Sequence, residues 1–414
     1  MKKLKLVMVG NGMAGVRTLE ELLKIAPDLY DITVFGAEPH PNYNRILLSP
    51  VLAGEQTLDE IILNPLSWYA ENGITLHLGK TVKEIDRLRR RVVAEDGTTA
   101  DYDRLLIATG STPFVPPVPG RDLAGVIAYR DIADTNEMID AATKYRHAVV
   151  IGGGLLGLEA ANGLMLRGMQ VTVVHLSGTL MERQLDGVAG DLLRKSLVER
   201  GLQFALAAQT QALLGNDAGR VRAIQLKTAD GQSIELPADL VVMAAGVRPN
   251  TALAEQAGLH CSRGIVVTDT MQTVTDPRVY SVGECAAHRG VAYGLVAPLF
   301  EQGKVLATHL AQIGIGRYLG SQVSTKLKVT GIDLFSAGNF AGGAGTEEIV
   351  LSNPFTGVYK KLVIQDDQLV GACLYGDTAD GGWYFKLLRE RRNIAGIRDR
   401  LMFGEQYANE TACA

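Results

Sequence analysis

Two doubly wound α/β units followed by a smaller α+β domain make up the fold that the sequence predicts, and three observations predict it. The apolar stretch Leu4 to Val9 runs into Gly10-Asn11-Gly12-Met13-Ala14-Gly15 and then into a helix-periodic stretch. The stretch Ala148 to Ile151 runs into Gly152-Gly153-Gly154-Leu155-Leu156-Gly157 in the same way. Past about residue 315 the texture changes to short strand-like runs. Strands alternating with helices imply parallel sheets covered on both faces. Two starts 142 residues apart, at Gly10 and Gly152, imply two separate sheets. A glycine pattern of this kind between a strand and a helix makes each unit Rossmann-like.

Taken in order, Leu4 to Val9 reads as a buried strand, Val16 to Ile25 as a helix and Ile32 to Phe35 as the next strand. Leu105 to Ile107 is a further strand. Pro113 to Gly120 holds four prolines in eight residues and reads as a stiff linker between domains. The second unit repeats the first: strand Ala148 to Ile151, a helix through about Arg167, strand Val171 to His175, and later strand Leu240 to Met243. A helix is expected from near Ala297-Pro298. In the last part Ala337 to Gly345 is rich in Gly and Ala. There Ile349–Leu351, Lys361–Ile364 and Leu369–Leu374 read as strands and Tyr384–Arg391 as a helix.

Composition narrows the classes. At roughly 150 residues per domain, 414 residues suit two or three domains. Apolar residues make up 47%, enough for a large core without staples. Lys+Arg is 41 and Asp+Glu is 45, so the net charge is 41 − 45 = −4, and nothing supports nucleic-acid binding. Cys261, Cys285, Cys373 and Cys413 form no C-x-x-C or C-x-C pair. That argues against a disulfide framework, a zinc site or an iron–sulfur cluster held by this chain alone. Sparse cysteine suits a reducing, cytoplasmic setting. No apolar run is long enough to span a membrane. Met1-Lys2-Lys3 with Leu4 to Val9 is too short an apolar run for a signal peptide.

The glycine loops carry the chemistry. In the first, Gly10 permits the tight turn, Gly12 lets a pyrophosphate approach the backbone, and Gly15 lets helix and strand pack closely. Helix N–H groups at Met13 and Ala14 then face the phosphates. Glu38, 23 residues after Gly15, stands where a carboxylate accepts ribose hydroxyls. In the second loop Gly152, Gly154 and Gly157 repeat these roles, with Leu155 and Leu156 at the helix start. Its second strand ends in His175, which is either a ribose donor or a strand-end residue without a ligand. Arg183 lies eight residues on, so the marks of NAD and NADP preference are both missing.

Three further stretches make the pattern specific: Ala108-Thr109-Gly110, Ala244-Ala245-Gly246-Val247-Arg248-Pro249-Asn250, and Thr275-Asp276-Pro277 leading to Tyr280-Ser281-Val282-Gly283-Glu284-Cys285-Ala286. With the glycine loops they resemble the pyridine-nucleotide–disulfide oxidoreductase superfamily over about residues 1 to 315. The resemblance implies FAD on the first loop, NADH on the second with NADPH left open, and the flavin's ribityl chain at Gly283-Glu284, where Asp is commoner. It divides the chain into an FAD-binding domain in two parts, 1–115 and 241–315, an NAD(P)H-binding domain, 116–240, and a C-terminal α+β domain, 316–414. It also places Val82, Ala108, Thr109, Gly110 and Gly246 at the cofactor sites.

Tyr43-Asn44-Arg45-Ile46-Leu47-Leu48-Ser49 resembles the flavin-contacting segment of NADH:rubredoxin reductases, with Arg45 and Ser49 at the cofactor. Gly294 to Gln302, Ser324 to Gly331 and the stretch His175 to Asp186 are most similar to the N-terminal half of the assimilatory NAD(P)H nitrite reductase large subunit. By that resemblance Pro298 opens a helix aimed at the flavin. Glu159, in the first turn of the second unit's helix, stands near the nicotinamide or simply complements the helix dipole. The family protein continues into an iron–sulfur module and a sirohaem domain, whereas this chain stops at Thr411-Ala412-Cys413-Ala414, so nitrite reduction itself is not expected on this polypeptide.

The expected activity is FAD-dependent NAD(P)H oxidation. Electrons would go singly to an iron–sulfur or sirohaem partner in nitrite reduction, or to a rubredoxin or ferredoxin from a stand-alone reductase. A flavin-bound redox sensor is the alternative of another class, and a homo-oligomer is compatible with each. Disulfide exchange is disfavoured for want of a cysteine pair, and Cys285 reads as a small buried hydrophobe. Lys326 and Lys328 are either a basic patch for an acidic carrier or solvated strand lysines.

Overall fold

The computed structural model describes residues 3–314, 316–327, 329, 331–353 and 355–409. Met1, Lys2, Lys328, Thr330 and the terminal residues from Thr411 to Ala414, with Cys413, lie outside the described residues. The chain divides into two units. One comprises Met1–Leu48, Thr57–Thr112 and Val247–Ser321; the other comprises Ser49–Gln56, Pro113–Gly246 and Gln322–Ala414.

The first unit is built on a five-stranded sheet in the order Val279–Ser281, Arg104–Ile107, Leu4–Val9, Tyr30–Phe35, Thr75–His77. All of its pairings are parallel. Alternation explains why Leu6 to Val9 of the first strand reads as continuously apolar: both faces are covered there. Leu6 and Met8 meet Val16, Leu19 and Leu22 of the helix Met13–Ile25, together with Leu306 and Leu310 of the helix Val296–Leu310. Val7 and Val9 meet Val82, Ile85 and Val92 of a three-stranded antiparallel sheet on the other face. Tyr30 ties sheet to helix, its hydroxyl donating to the Leu310 carbonyl at 2.9 Å.

The second unit repeats the plan in the order Val126–Ala128, Leu240–Met243, His147–Ile151, Gln170–Val174, Gln203–Ala205, again with parallel pairings. Its helix Leu155–Leu166 is buried without a break from Gly157 to Leu164, because it lies inside the unit rather than on its surface. A five-stranded antiparallel sheet (Ser324–Thr325, Leu334–Gly338, Gln368–Tyr375, Val358–Gln365, Glu347–Asn353, in spatial order) completes the unit. The helix Gly381–Glu390 lays Trp383, Tyr384, Leu387 and Leu388 on it.

Several details go beyond the sequence reading. Pro113 to Gly120, read as a stiff linker, begins where the chain passes from the first unit to the second; Val115 and Val118 pack on the second unit's core and Pro119 accepts from the Leu213 N–H at 2.8 Å. The three-stranded antiparallel sheets at Val82–Asp101 and Gln209–Pro237 were not legible, because their short half-exposed strands carry no long apolar run. Lys326 is exposed just beyond the two-residue strand Ser324–Thr325, and Lys328 lies outside the described residues.

In the second unit the helix Ile132–Lys144 starts with a reciprocal capping box between Asp131 and Asp134. Burial, reinforced by the neighbouring Asp131 charge, pushes the Asp134 carboxyl up from 3.8 to about 6. The folded state therefore holds this proton more tightly than the unfolded chain does. The resulting stabilisation is full below 3.8 and lost as pH rises through about 6. Thermal melts of wild type and Asp134→Asn, which keeps the acceptor oxygen, are expected to show wild type losing stability relative to the variant across that window and no further change above it.

Candidate nucleotide-binding sites

In the first unit the chain leaves the strand Leu4–Val9 through Gly10, whose φ of +105° is left-handed. Its N–H donates to the Phe35 carbonyl at 2.8 Å, and the Val9 carbonyl accepts from Ala108 N–H at 2.8 Å. A Cβ on Gly10 would lie 2.2 Å from the Ala108 oxygen, so only glycine fits between the two strands. Gly15 packs as closely: a Cβ there would meet Met8 Sδ at 2.8 Å and the Ala108 Cβ at 2.9 Å. Gly12 is different. A Cβ on it would meet nothing within 4 Å, and no side chain caps the helix that begins at Met13. The open space lies where helix N–H groups of Met13 and Ala14 start, which is the shape of a phosphate cradle.

Other expected residues gather around that turn. Gly283, at φ +94°, comes against Ala14, with 3.2 Å between its would-be Cβ and the Ala14 Cβ. Glu284 accepts from the Ser111 hydroxyl at 2.7 Å. Thr109 donates from its hydroxyl to the Asn250 carbonyl at 2.8 Å, and Gly110 accepts from Asn250 N–H at 2.9 Å. Pro298 is buried at the third position of its helix, where no intrahelical N–H is required. That helix reaches the glycine-loop helix at Gly303, where a Cβ would sit 2.8 Å from Thr18 Oγ1.

Glu38 accepts from the Tyr43 hydroxyl at 2.7 Å and pairs with Arg45 at 2.5 Å. Arg45 also lies over the Tyr43 ring, 5.3 Å from its centre. The Val82 side chain belongs to the core with Val9 and Phe35, and Val82 pairs with Ala94 on the neighbouring strand. Sequence reasoning missed Tyr69, whose hydroxyl donates to the loop residue Asn11 at 2.8 Å. Burial pushes that phenol up to about 12.

The second unit reproduces the turn. Gly152 has φ +128°, donates to the Val174 carbonyl at 2.9 Å, and would place a Cβ 2.2 Å from the Ala244 oxygen. A Cβ on Gly157 would meet the Gly152 oxygen at 2.0 Å, while one on Gly154 would meet nothing within 4 Å. Leu155 and Leu156 are half-buried at the start of the helix. Gly246, at φ +111°, likewise opens onto space and accepts from Phe114 N–H at 2.8 Å.

Glu159 is only 8% exposed and accepts from the Ser49 hydroxyl at 2.7 Å. Ser49 in turn accepts from Tyr129 at 3.3 Å, and burial holds the Tyr129 phenol above its ordinary range. The sequence pointed to Ser49 and Glu159 separately, and the fold joins them. Tyr129 carried no local signal. His175 lies against the loop, its Nδ1 accepting from Gly153 N–H at 3.1 Å. Asp186 ends the His175 to Asp186 stretch by capping the helix Gly187–Glu199 through Ala189 N–H, and it accepts from the Tyr359 hydroxyl at 2.6 Å. Lys361 lies 3.9 Å from the same carboxylate.

The match to known families follows these features. The pyridine nucleotide-disulphide oxidoreductase model matches residues 4–312. The chain belongs to that family. A rubredoxin NAD+ reductase C-terminal domain matches residues 324–392. A nitrite reductase [NAD(P)H] of Bacillus subtilis is 51% identical over 95% of this chain and 48% of its own length. An assimilatory nitrate reductase electron transfer subunit of the same organism is 45% identical over 100% of this chain and 54% of its own. This chain thus spans about half the length of these relatives. The fold matches the NADH:rubredoxin oxidoreductase of Clostridium acetobutylicum with a TM-score of 0.78 at 24% identity, covering 97% and 100% of the two chains. Among the described residues Cys261, Cys285 and Cys373 are free thiols. Burial pushes the Cys261 thiol up to about 11 and the Cys373 thiol to about 12, away from reactive thiolate.

The two kinds of glycine make a paired test. Gly12→Val meets open space in the protein and is expected to fold like wild type but retain little FAD. Gly10→Ala is expected to lose both the fold of the first unit and FAD. FAD per chain by absorbance, beside the melting temperature, separates the two. Wild-type FAD content in Gly12→Val would count against this cradle.

Proposed function

We propose that this chain is the electron-input module of a nitrite-reducing system. It would take hydride from NADH and pass electrons singly to an iron–sulfur or sirohaem partner. The observation that carries this is the pair of open glycine cradles, at Gly12 and Gly154, in a chain whose described cysteines are unpaired. Bound FAD would supply the conversion from two-electron to one-electron transfer. The residues of the chain bind and orient. In this reading 1–115 with 241–315 hold FAD, 116–240 hold the pyridine nucleotide, and 316–414 complete the module.

Met13 and Ala14 N–H groups take the FAD pyrophosphate, while Glu38 takes a ribose hydroxyl with Arg45 beside it. Glu284, steadied by Ser111, accepts from the ribityl chain. The helix start at Pro298 offers its positive end to the flavin's pyrimidine edge. On the nucleotide side Gly154, Leu155 and Leu156 receive the pyrophosphate, and Glu159 places a buried carboxylate at the foot of the second cradle, oriented by Ser49 and Tyr129. The name of the nitrite reductase relative supports the partner class, and that of the nitrate reductase electron transfer subunit supports the role of electron donor, although both proteins are about twice as long. A second reading, a reductase for rubredoxin or ferredoxin, is favoured by the C-terminal domain match.

Anaerobic mixing of the FAD-loaded protein with NADH is expected to bleach the flavin band. Addition of a separately produced iron–sulfur/sirohaem half is then expected to restore the colour and consume nitrite. Recovery with rubredoxin alone would favour the second reading, and absence of bleaching would sink both. Glu159→Gln is expected to slow the bleaching by roughly tenfold or more while leaving FAD content unchanged. An unaltered rate would return Glu159 to the role of dipole complement.

A further inference from the structure

Dinucleotide-binding βαβ units read the adenosine ribose at the end of their second strand. A carboxylate there accepts the ribose hydroxyls and repels a 2′-phosphate. In the second unit that strand, Gln170–Val174, runs into His175, which is not acidic. The structure brings a carboxylate to the same place by another route.

Because Gly153 N–H donates to His175 Nδ1 at 3.1 Å, that nitrogen is the acceptor and the ring proton sits on Nε2. Nε2–H then donates to Glu182 Oε2 at 2.9 Å. The imidazole is pressed onto the glycine loop, so that a Cβ on Gly153 would come 2.8 Å from its Cγ and Cδ2. The segment carrying Glu182 is bonded to the same glycine: Met181 N–H donates to the Gly153 carbonyl at 2.9 Å. Met181 holds a left-handed φ of +50°, and the side chains of Leu180 and Met181 are fully buried beneath it. Gln184 and Leu185 N–H groups close the turn onto the Met181 carbonyl. Glu182 therefore follows directly on a backbone amide fixed to the glycine loop, with its head group held by His175. It remains 42% exposed and so open to a ligand.

We infer that Glu182, positioned by His175, is the specificity residue that selects NADH against NADPH. This rests on the second glycine loop being the nicotinamide-dinucleotide site proposed above. The cationic neighbour Arg183 is the competing candidate, since a guanidinium would welcome a 2′-phosphate. Arg183 is exposed and makes no hydrogen bond or ion pair among the described residues, whereas Glu182 is tied to the loop through His175.

The test is direct binding by calorimetry of ADP-ribose and of 2′-phospho-ADP-ribose to the full-length, FAD-loaded protein. Wild type is expected to prefer ADP-ribose. Glu182→Gln is expected to lower that preference by roughly tenfold or more, the worth of a charge-assisted hydrogen bond together with the lost repulsion. His175→Asn keeps an acceptor for Gly153 N–H but does not reach Glu182, and it is expected to lower the preference part of the way. An unchanged preference in Glu182→Gln overturns the inference. So does a wild-type preference for the 2′-phosphate that Arg183→Ala abolishes. A wild-type protein that binds neither ligand removes the dinucleotide site itself, and the proposed function falls with it. Binding of both with equal affinity leaves that function standing and overturns only the selection.

Discussion

A carbonyl oxygen pushed into the space where a side chain would begin is the contact on which both halves of this protein depend. At Gly10 that oxygen belongs to Ala108, and at Gly152 to Ala244. In each case the neighbouring parallel strand closes over the turn, the glycine takes a left-handed φ, and the chain swings into a helix whose first amides lack an intrahelical partner. Adding one carbon at either position puts two atoms about 2 Å apart, far inside van der Waals contact. The second glycine of each motif, Gly12 and Gly154, has the opposite character: a Cβ added there would meet nothing within 4 Å. Closeness on one side of the turn and openness on the other give main chain alone the shape of a phosphate cradle.

Much of this was legible in the sequence, for a physical reason. Buried parallel strands are apolar on both faces, so Leu4–Val9, Leu240–Met243 and their partners stand out as runs, and glycines needed for sterics stand out by identity. The same argument explains what was not legible. Strands such as Thr99–Asp101 and Ser233–Pro237 have exposed faces and short lengths, so propensity has little to hold. Pro113 to Gly120 read as a stiff linker because proline reports backbone stiffness, and it does not report that Val115 and Val118 find a core to pack on.

At the sites, local motifs announced the turns but not the side-chain partnerships. Ser49 and Glu159 are 110 residues apart in sequence and share a hydrogen bond; Tyr69 steadies Asn11 across 58 residues. His175 was open between ligand and bystander on the sequence alone. In the fold both of its ring nitrogens are engaged, one by the glycine loop and one by Glu182. Such pairings depend on where separate segments meet, and spacing in the chain carries no record of that.

Asp186 has a consequence for how this architecture can be inherited. One carboxylate caps the helix Gly187–Glu199 and takes the Tyr359 hydroxyl, with the Lys361 ammonium also near it. The stretch beside the second glycine loop is thus stitched to the antiparallel sheet more than 170 residues downstream. Recombination that exchanged the nucleotide half but left the last hundred residues behind would strand a half-buried carboxylate without its Tyr359 donor. The two segments therefore form one heritable cassette, and rearrangements that preserve the family's chemistry have to carry both ends of that stitch together.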